Sequence, residues 1–316
     1  MPTESNKNIL DTESYKETAQ PMIDLASTVL REAVNHASTL YERCRVTKKA
    51  DNDESYPVLA LFLHIIQMMD SVEILISNCC VESANVLVRS AFEAALGLEY
   101  MCETSTRTRG LAWILRNILD RIEYGERHNK STKKGKEFYE TLEREGLGGM
   151  PELPEDYNSN LKKALEKPEY VDLYEEYKRL KKKLRRVEWY SLYDGPTNIR
   201  ELAEHLGQKS IYDSLYRSWS QQVHAASSDH LHLLFEDGQS VLGPIRNPLN
   251  IAHVSSYALG LILTADQTMV KRFLSGHMKS FSRWYRTEIS QKHLALVKGE
   301  KEHLKWFENT FMKKQE

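Results

Sequence analysis

Helical periodicity is the feature that most constrains what this chain can fold into. Apolar residues recur near helical spacing along almost the whole sequence, as in the early segment that contains Met22, Leu25, Leu30 and Ala33. Glycine and proline, which interrupt helices, number 14 and 9 and are clustered. No segment of useful length alternates apolar and polar residues with the period of two that marks a strand. The sequence therefore predicts an all-α protein, a multi-helix bundle of long antiparallel helices.

Breaks in this periodicity predict the domain organisation. Residues 1–12 are polar and are expected to form a disordered tail. A helical bundle domain is expected over residues 13–275, with a flexible insertion near 129–157, where Lys, Gly and Pro are frequent. Residues 276–316 are predicted to form a C-terminal helix that packs on the bundle or on a partner.

Composition and charge indicate a cytoplasmic protein. Apolar residues make up 41% and charged residues 28%, a mixture that supports a core and a solvated surface. The net charge of −2 gives no global basic field, so a nucleic-acid surface would have to be a local patch. The four cysteines lack CxxC spacing, and no signal peptide is visible. The most apolar run, Pro57 to Cys80, contains His64, Gln67, Asp70 and Glu73 and is predicted to be a buried core helix, so no membrane partner is expected.

Patterns typical of metal and nucleotide sites are missing from the sequence. A di-iron bundle needs two Glu-x-x-His motifs and two further glutamates, and only Glu300–His303 fits. There is no GxxxxGK[ST] loop, no GxGxxG after a strand and no GxSxG. We therefore expect no cofactor and no metal.

A predicted helix over residues 209–235 carries Arg217, Ser220, His224 and Ser228 along one stripe. An arginine stays protonated, whereas a histidine exchanges its proton near neutral pH, so the pair can hold a phosphate and move a proton beside it. An Arg followed by a His after four to six residues occurs seven times in the chain, where random placement gives about two. The spacing alone therefore cannot choose among the seven pairs, and the surrounding sequence has to. The Ser/Gln/Tyr-rich, half-apolar helix favours Arg217 and His224.

Three segments carry a resemblance to a known family. RSAFEAALGLEYM at 89–101, EWYSLYDGPTNIRELAEHLG at 188–207 and YRSWSQQVHAASSDH at 216–230 resemble, in this order, an uncharacterised family of bacterial all-helical proteins. That family in turn resembles the HEPN superfamily, helical bundles that include RNA-cleaving toxins and phage-defence nucleases. The resemblance implies a HEPN-like core and a homodimer in which His224 is the general acid/base and Arg217 holds the phosphate.

The stripe and the resemblance together predict a metal-independent endoribonuclease, a toxin or phage-defence effector whose partner is RNA. Arg89, Glu93, Tyr216, Ser220 and Ser228 are expected to lie near the catalytic pair. Cleavage by the 2′-OH of RNA needs a base, an acid and positive charge on the phosphate, and two copies of the pair would supply them without metal.

Each of these residues also has a structural interpretation. His224 is compatible with a buried histidine bonded to a neighbouring Ser or carboxylate, and Arg217 with an ion pair to Glu93 or Glu82. Arg89 and Glu93, four residues apart, can pair along their own helix and fix its register. The alternative function is a non-catalytic helical module that binds a regulatory protein partner or a regulatory nucleotide.

The segment KRLKKKLRR at 178–186 has seven basic residues in nine. Because neutralisation of phosphates dominates affinity for nucleic acids, this run predicts an RNA-binding surface, and without catalysis it would make the protein a nucleic-acid binder. The competing interpretation is a solvated helix face balanced by acidic residues upstream. The residues concerned are Lys178, Arg179, Lys181, Lys182, Lys183, Arg185 and Arg186.

Overall fold

The computed structural model of the chain describes residues 13–47, 55–151, 153–154, 156–216, 219, 233–236, 239–242 and 246–307. Across these residues the protein is a helical bundle with one short β-hairpin, and the predicted all-α class is confirmed. The expected tail of residues 1–12 lies outside them. The helices are α1 (Glu13–Arg45), α2 (Tyr56–Ser77), α3 (Val81–Glu103), α4 (Thr106–Arg127), α5 (Lys133–Arg144), α6 (Ser159–Leu165), α7 (Pro168–Lys181), α8 (Ile199–His205), α9 (Lys209–Ile211), α10 (Ile251–Phe273), α11 (Met278–Trp284) and α12 (Ser290–Phe307).

The helices belong to two compact units, one of residues 1–102 and 206–316 and one of residues 103–205. This division runs across the bundle expected over residues 13–275, because the second unit is inserted between two parts of the first. In the first unit α1 packs against α2 and α10, and α12 packs against α1 and α10.

Small residues on α1 explain its close packing. Ala19, Ala26 and Ala33 are seven residues apart and Ala37 follows four later, so all four lie on one face, and all are fully buried. Because alanine is a strong helix former with a small side chain, this face forms readily and lets neighbouring helices approach.

Helix α2 supplies large apolar side chains to the same core. Phe62, Ile65 and Met69 are fully buried, and α2 contacts both α1 and α10. The structure agrees with the core helix predicted for residues 57–80, although the helix ends at Ser77. Among the described helices, α2 is the one whose length and composition would allow it to cross a membrane, which is weak evidence for a span.

The second unit has its own apolar core, built mainly by α4, α6 and α7. Within the stretch 129–157, expected as a flexible insertion, the structure has helix α5. The side chain of Thr132 caps this helix by accepting a hydrogen bond from the backbone N–H of Gly135 at 2.9 Å. Tyr139 and Leu142 of α5 are buried.

A short β-hairpin corrects the helix predicted to run to residue 235. Leu233–Glu236 (β1) pairs antiparallel with Gln239–Leu242 (β2), and Leu233 lies opposite Leu242. The strands are separated in sequence by Asp237 and Gly238, a dipeptide that is typical of two-residue hairpin loops. The prediction was wrong because the short apolar run before Asp237 fits a helix end and a strand equally well.

Candidate functional site

A tyrosine from one part of the chain bridges an arginine and a glutamate from another. Arg89 and Glu93 lie four residues apart on α3, so both side chains leave the same face of the helix. The Arg89 Nη2 donates a hydrogen bond to the Tyr216 hydroxyl at 2.8 Å, and this hydroxyl donates to Glu93 Oε1 at 2.9 Å. The direct separation of Arg89 from Glu93 is 3.8 Å, so the tyrosine makes the closer contacts with both.

Aromatic contacts hold Tyr216 in place. The Arg89 Cζ lies 4.3 Å from the centroid of the Tyr216 ring, which is cation–π geometry. On the same short segment, the Tyr212 ring stacks on Tyr216 with centroids 4.9 Å apart. The ring of Phe92, from α3, is tilted against Tyr216 at 6.3 Å. The guanidinium and two rings therefore fix the position of the tyrosine hydroxyl.

Electrostatics keep this hydroxyl protonated. Burial raises the pKa of Tyr216 above its ordinary value, and the Glu93 carboxylate raises it further. The Arg89 side chain is 16% exposed, whereas Glu93 is 46% exposed and can meet a ligand. Among the described residues no acceptor reaches the buried Arg89 Nε.

The chain around Tyr216 departs from a regular α-helix. Residues Tyr212–Tyr216 form a π-helical turn, a widened turn often found at functional sites, where the sequence predicted continuous α-helix. Three residues after Tyr216, the Trp219 ring is buried and packs edge-on against Tyr257 of α10, with centroids 6.0 Å apart. Tyr216 and Trp219 are thus each fixed by aromatic packing.

The structure brings together three of the predicted site residues, namely Arg89, Glu93 and Tyr216. The other four lie outside the described residues, and their roles stay predictions. These are Arg217, Ser220, His224 and Ser228.

Residues 55–241 match the model of a family of unknown function, DUF5677. The chain belongs to this family. The match extends from the start of α2 into β2, so it contains the cluster of Arg89, Glu93 and Tyr216 as well as the predicted pair Arg217 and His224. The predicted resemblance to an uncharacterised family is confirmed. No curated protein and no solved structure matches the chain.

The Arg31–His36 spacing does not form a joint site in the structure. Arg31 donates to Glu73 at 2.7 Å, whereas His36 lies 2.7 Å from Asp266, so this pair points to separate partners. The Nε2 of His205 lies 2.9 Å from Glu103.

The basic run of residues 178–186 splits into paired and unpaired cations. Helix α7 ends at Lys181, so the run continues beyond the helix. Lys178 pairs with Glu175, Arg179 with Glu176, and Arg186 with Glu188 on the protein itself. Within the described part of the chain no ion pair involves the remaining exposed cations, Lys181, Lys182, Lys183 and Arg185. If the run binds RNA as predicted from the sequence, these four cations are the ones expected to contact the backbone.

Metal ligands do not assemble in the part of the chain that the structure describes. No group of three or more His, Cys, Asp and Glu side chains there has an arrangement that would hold a metal ion. The cluster of Arg89, Glu93 and Tyr216 contains a single carboxylate, so its chemistry is that of hydrogen bonding and charge.

Proposed function

We propose that the protein is a metal-independent endoribonuclease of the HEPN kind, in which Arg217 holds the scissile phosphate and His224 transfers the proton. The observation that carries this proposal is the Tyr216 hydroxyl, which joins Arg89 to Glu93 immediately before Arg217 in the chain. We further propose that it acts in the bacterial cytoplasm as a homodimeric toxin or phage-defence effector.

Anchoring next to Arg217 supports this proposal. Tyr216 is fixed by Arg89 and by ring stacking, and Trp219 is buried against Tyr257. Tyr216 and Trp219, which flank Arg217 in sequence, are therefore both held by side-chain contacts. Positioned donors stabilise a transition state better than mobile ones, because they need no reorganisation when charge develops.

The charges of the cluster suit a proton-transfer site. Glu93 is about half exposed, and a carboxylate beside an imidazole favours its protonated form. In the proposed site Glu93 keeps His224 able to act as an acid, while the Arg89 guanidinium adds positive charge near the phosphate oxygens.

The proposed reaction needs only the groups of RNA and two copies of the histidine. One His224 removes the proton of the ribose 2′-OH, and the oxygen forms a bond to phosphorus. The bond from phosphorus to the 5′-oxygen breaks, and the second subunit's His224 donates a proton to that oxygen. The products are a 2′,3′-cyclic phosphate and a 5′-hydroxyl, and DNA is inert because it lacks the 2′-OH.

The analysis of RNA ends tests this proposal. The full chain is incubated with labelled RNA and with DNA of the same sequence, both in the presence of EDTA. We expect cleavage of the RNA alone, with cyclic phosphate and 5′-hydroxyl ends. Cleavage of DNA, 3′-hydroxyl products or activity that depends on added metal would contradict the mechanism.

A further inference from the structure

A groove with a volume of about 380 Å³ lies in the first unit between α1 and the segment of residues 270–284. Glu32, His36, Thr39 and Arg43 face it from α1, and their spacings of three and four place them on one stripe of the helix. All lining residues lie outside the region matched by the family model, residues 55–241. None of the lining residues belongs to the proposed ribonuclease site.

A buried carboxylate orients the histidine in this groove. The Asp266 side chain, from α10, is fully buried, and its Oδ2 lies 2.7 Å from His36 Nδ1. Its other oxygen, Oδ1, has no hydrogen-bond partner among the described residues. Since Asp266 engages Nδ1 of the ring, Nε2 of His36 is the nitrogen left to contact a ligand.

Two aromatic side chains fix the plane of the same imidazole. The Trp284 ring stacks on His36 with centroids 3.6 Å apart and an interplanar angle of 14°. The indole Nε1–H of Trp284 donates to Glu32 at 2.9 Å, and the Phe281 ring lies 5.7 Å from His36. His36 is thus a positioned hydrogen-bonding group with a side chain that remains 21% exposed.

Charge is distributed unevenly along the groove. Glu32 lies at one end, held by Trp284, and Arg43 lies eleven residues further along α1, about 16 Å away along the helix axis. His277 and Ser280 line the groove from the opposite side. Arginine, histidine and hydroxyl side chains together are the usual partners of phosphate oxygens.

We propose that this groove binds a small aromatic phosphate monoester. Arg43 and His277 hold the phosphate, the Nε2 of His36 supplies a further contact, and the aromatic ring lies against Leu274 and Phe281. A phosphate group suits the site better than a carboxylate because it offers three acceptor oxygens to several donors. The apolar surface of Leu274 and Phe281 accounts for the ring.

Calorimetric titration of the full chain tests the proposal, with phenyl phosphate as the probe. We expect phenyl phosphate to bind at least tenfold more tightly than inorganic phosphate, phenol or benzoate. Absence of phenyl phosphate binding would overturn the proposal. Inorganic phosphate that binds as tightly would reduce the groove to a simple anion site and overturn the aromatic assignment, and equally tight benzoate would overturn the preference for phosphate.

Variants on α1 locate the binding. We expect Arg43→Ala and His36→Gln to weaken phenyl phosphate binding at least tenfold. Arg45→Ala is the matched control, because Arg45 lies on the same helix, is exposed and pairs with Glu42 instead of lining the groove. Arg43 is itself exposed, so its replacement should leave the fold intact. Equal losses in Arg43→Ala and Arg45→Ala would show that binding is not in the groove.

Discussion

The Tyr216 hydroxyl lies 2.8 Å from Nη2 of Arg89, although 127 residues separate the two in sequence. This contact ties the chain that leads into Arg217 to helix α3. A buried guanidinium needs acceptors, and Tyr216 supplies one while its own proton is accepted by Glu93. Tyr216 therefore connects helix α3 to the segment that carries the proposed catalytic pair.

Replacement of Tyr216 by phenylalanine tests the role of these hydrogen bonds. Tyr216→Phe keeps the ring but removes the hydrogen bonds to Arg89 and Glu93, so we expect a loss of about 1–2 kcal/mol in the free energy of unfolding. RNA cleavage should fall at least tenfold because Arg217 is less well placed. Urea unfolding and a cleavage assay measure the two effects. Tyr212→Phe is the control, since its hydroxyl makes neither hydrogen bond, and equal behaviour of both variants would refute the assigned role.

Unpaired cations of the basic run should bind RNA more strongly than paired ones. We expect Lys182→Gln with Lys183→Gln to weaken single-stranded RNA binding. The slope of log affinity against log salt should fall by roughly 1.4, which corresponds to two lost phosphate contacts. Lys178→Gln with Arg179→Gln is the matched control, because these cations already pair with Glu175 and Glu176. Filter binding over a range of salt concentrations measures the slopes, and identical slopes would show that this run does not contact RNA.

Asp266 should make stability depend on pH. Burial raises the pKa of this carboxyl from 3.8 to about 6, against the opposing effect of His36. Between about pH 4 and pH 6 the Asp266 carboxyl keeps its proton in the folded protein and releases it in the unfolded chain. The stabilisation that Asp266 provides is therefore fully present below pH 4 and is lost as the pH rises through 6. A rise in the pKa from 3.8 to about 6 corresponds to about 3 kcal/mol in the free energy of unfolding.

The Asp266→Asn variant isolates this contribution from the other carboxylates. We expect the unfolding free energy of the wild type, minus that of the variant, to decrease as the pH rises from 4 to 7. Denaturant titrations at several pH values give this difference. A difference that stays constant, or that grows with pH, would mean that Asp266 does not hold its proton in the folded state.

Thr132 should control the order of α5. Thr132→Ala removes the cap at Gly135, which we expect to destabilise the helix by about 1 kcal/mol and to speed amide exchange across residues 133–144. Thr141→Ala is the control on the same helix, because the exposed Thr141 hydroxyl bonds only within the helix, donating to the carbonyl of Glu137 and accepting from Nη2 of Arg144. Exchange rates that respond equally to both changes would mean that the cap does not hold α5.

Periodicity predicted the bundle because buried faces such as that of Ala19, Ala26 and Ala33 repeat at helical spacing. It did not predict the hairpin at residues 233–242, since a run of four residues fits either structure. Nor did it predict the pair of His36 and Asp266, which are 230 residues apart. Only tertiary packing brings them together.

Arg89, Glu93 and Tyr216 could be named from sequence because they accompany the Arg–His stripe in the segments that carry the family resemblance. The geometry of these three residues could not be predicted from sequence, because the bridging role of the Tyr216 hydroxyl depends on the π-helical turn at Tyr212–Tyr216. An unbroken α-helix would have been expected from the apolar pattern alone.

The rate of RNA cleavage in EDTA by three proteins tests the central proposal most directly. The wild type and His230→Ala are expected to cleave at similar rates, because His230 lies six residues beyond His224 and off the predicted stripe. His224→Ala is expected to lose at least about 100-fold, the contribution of a general acid or base. Cleavage by His224→Ala at the wild-type rate, or no cleavage by the wild type, would contradict the assignment of His224 as the catalytic group.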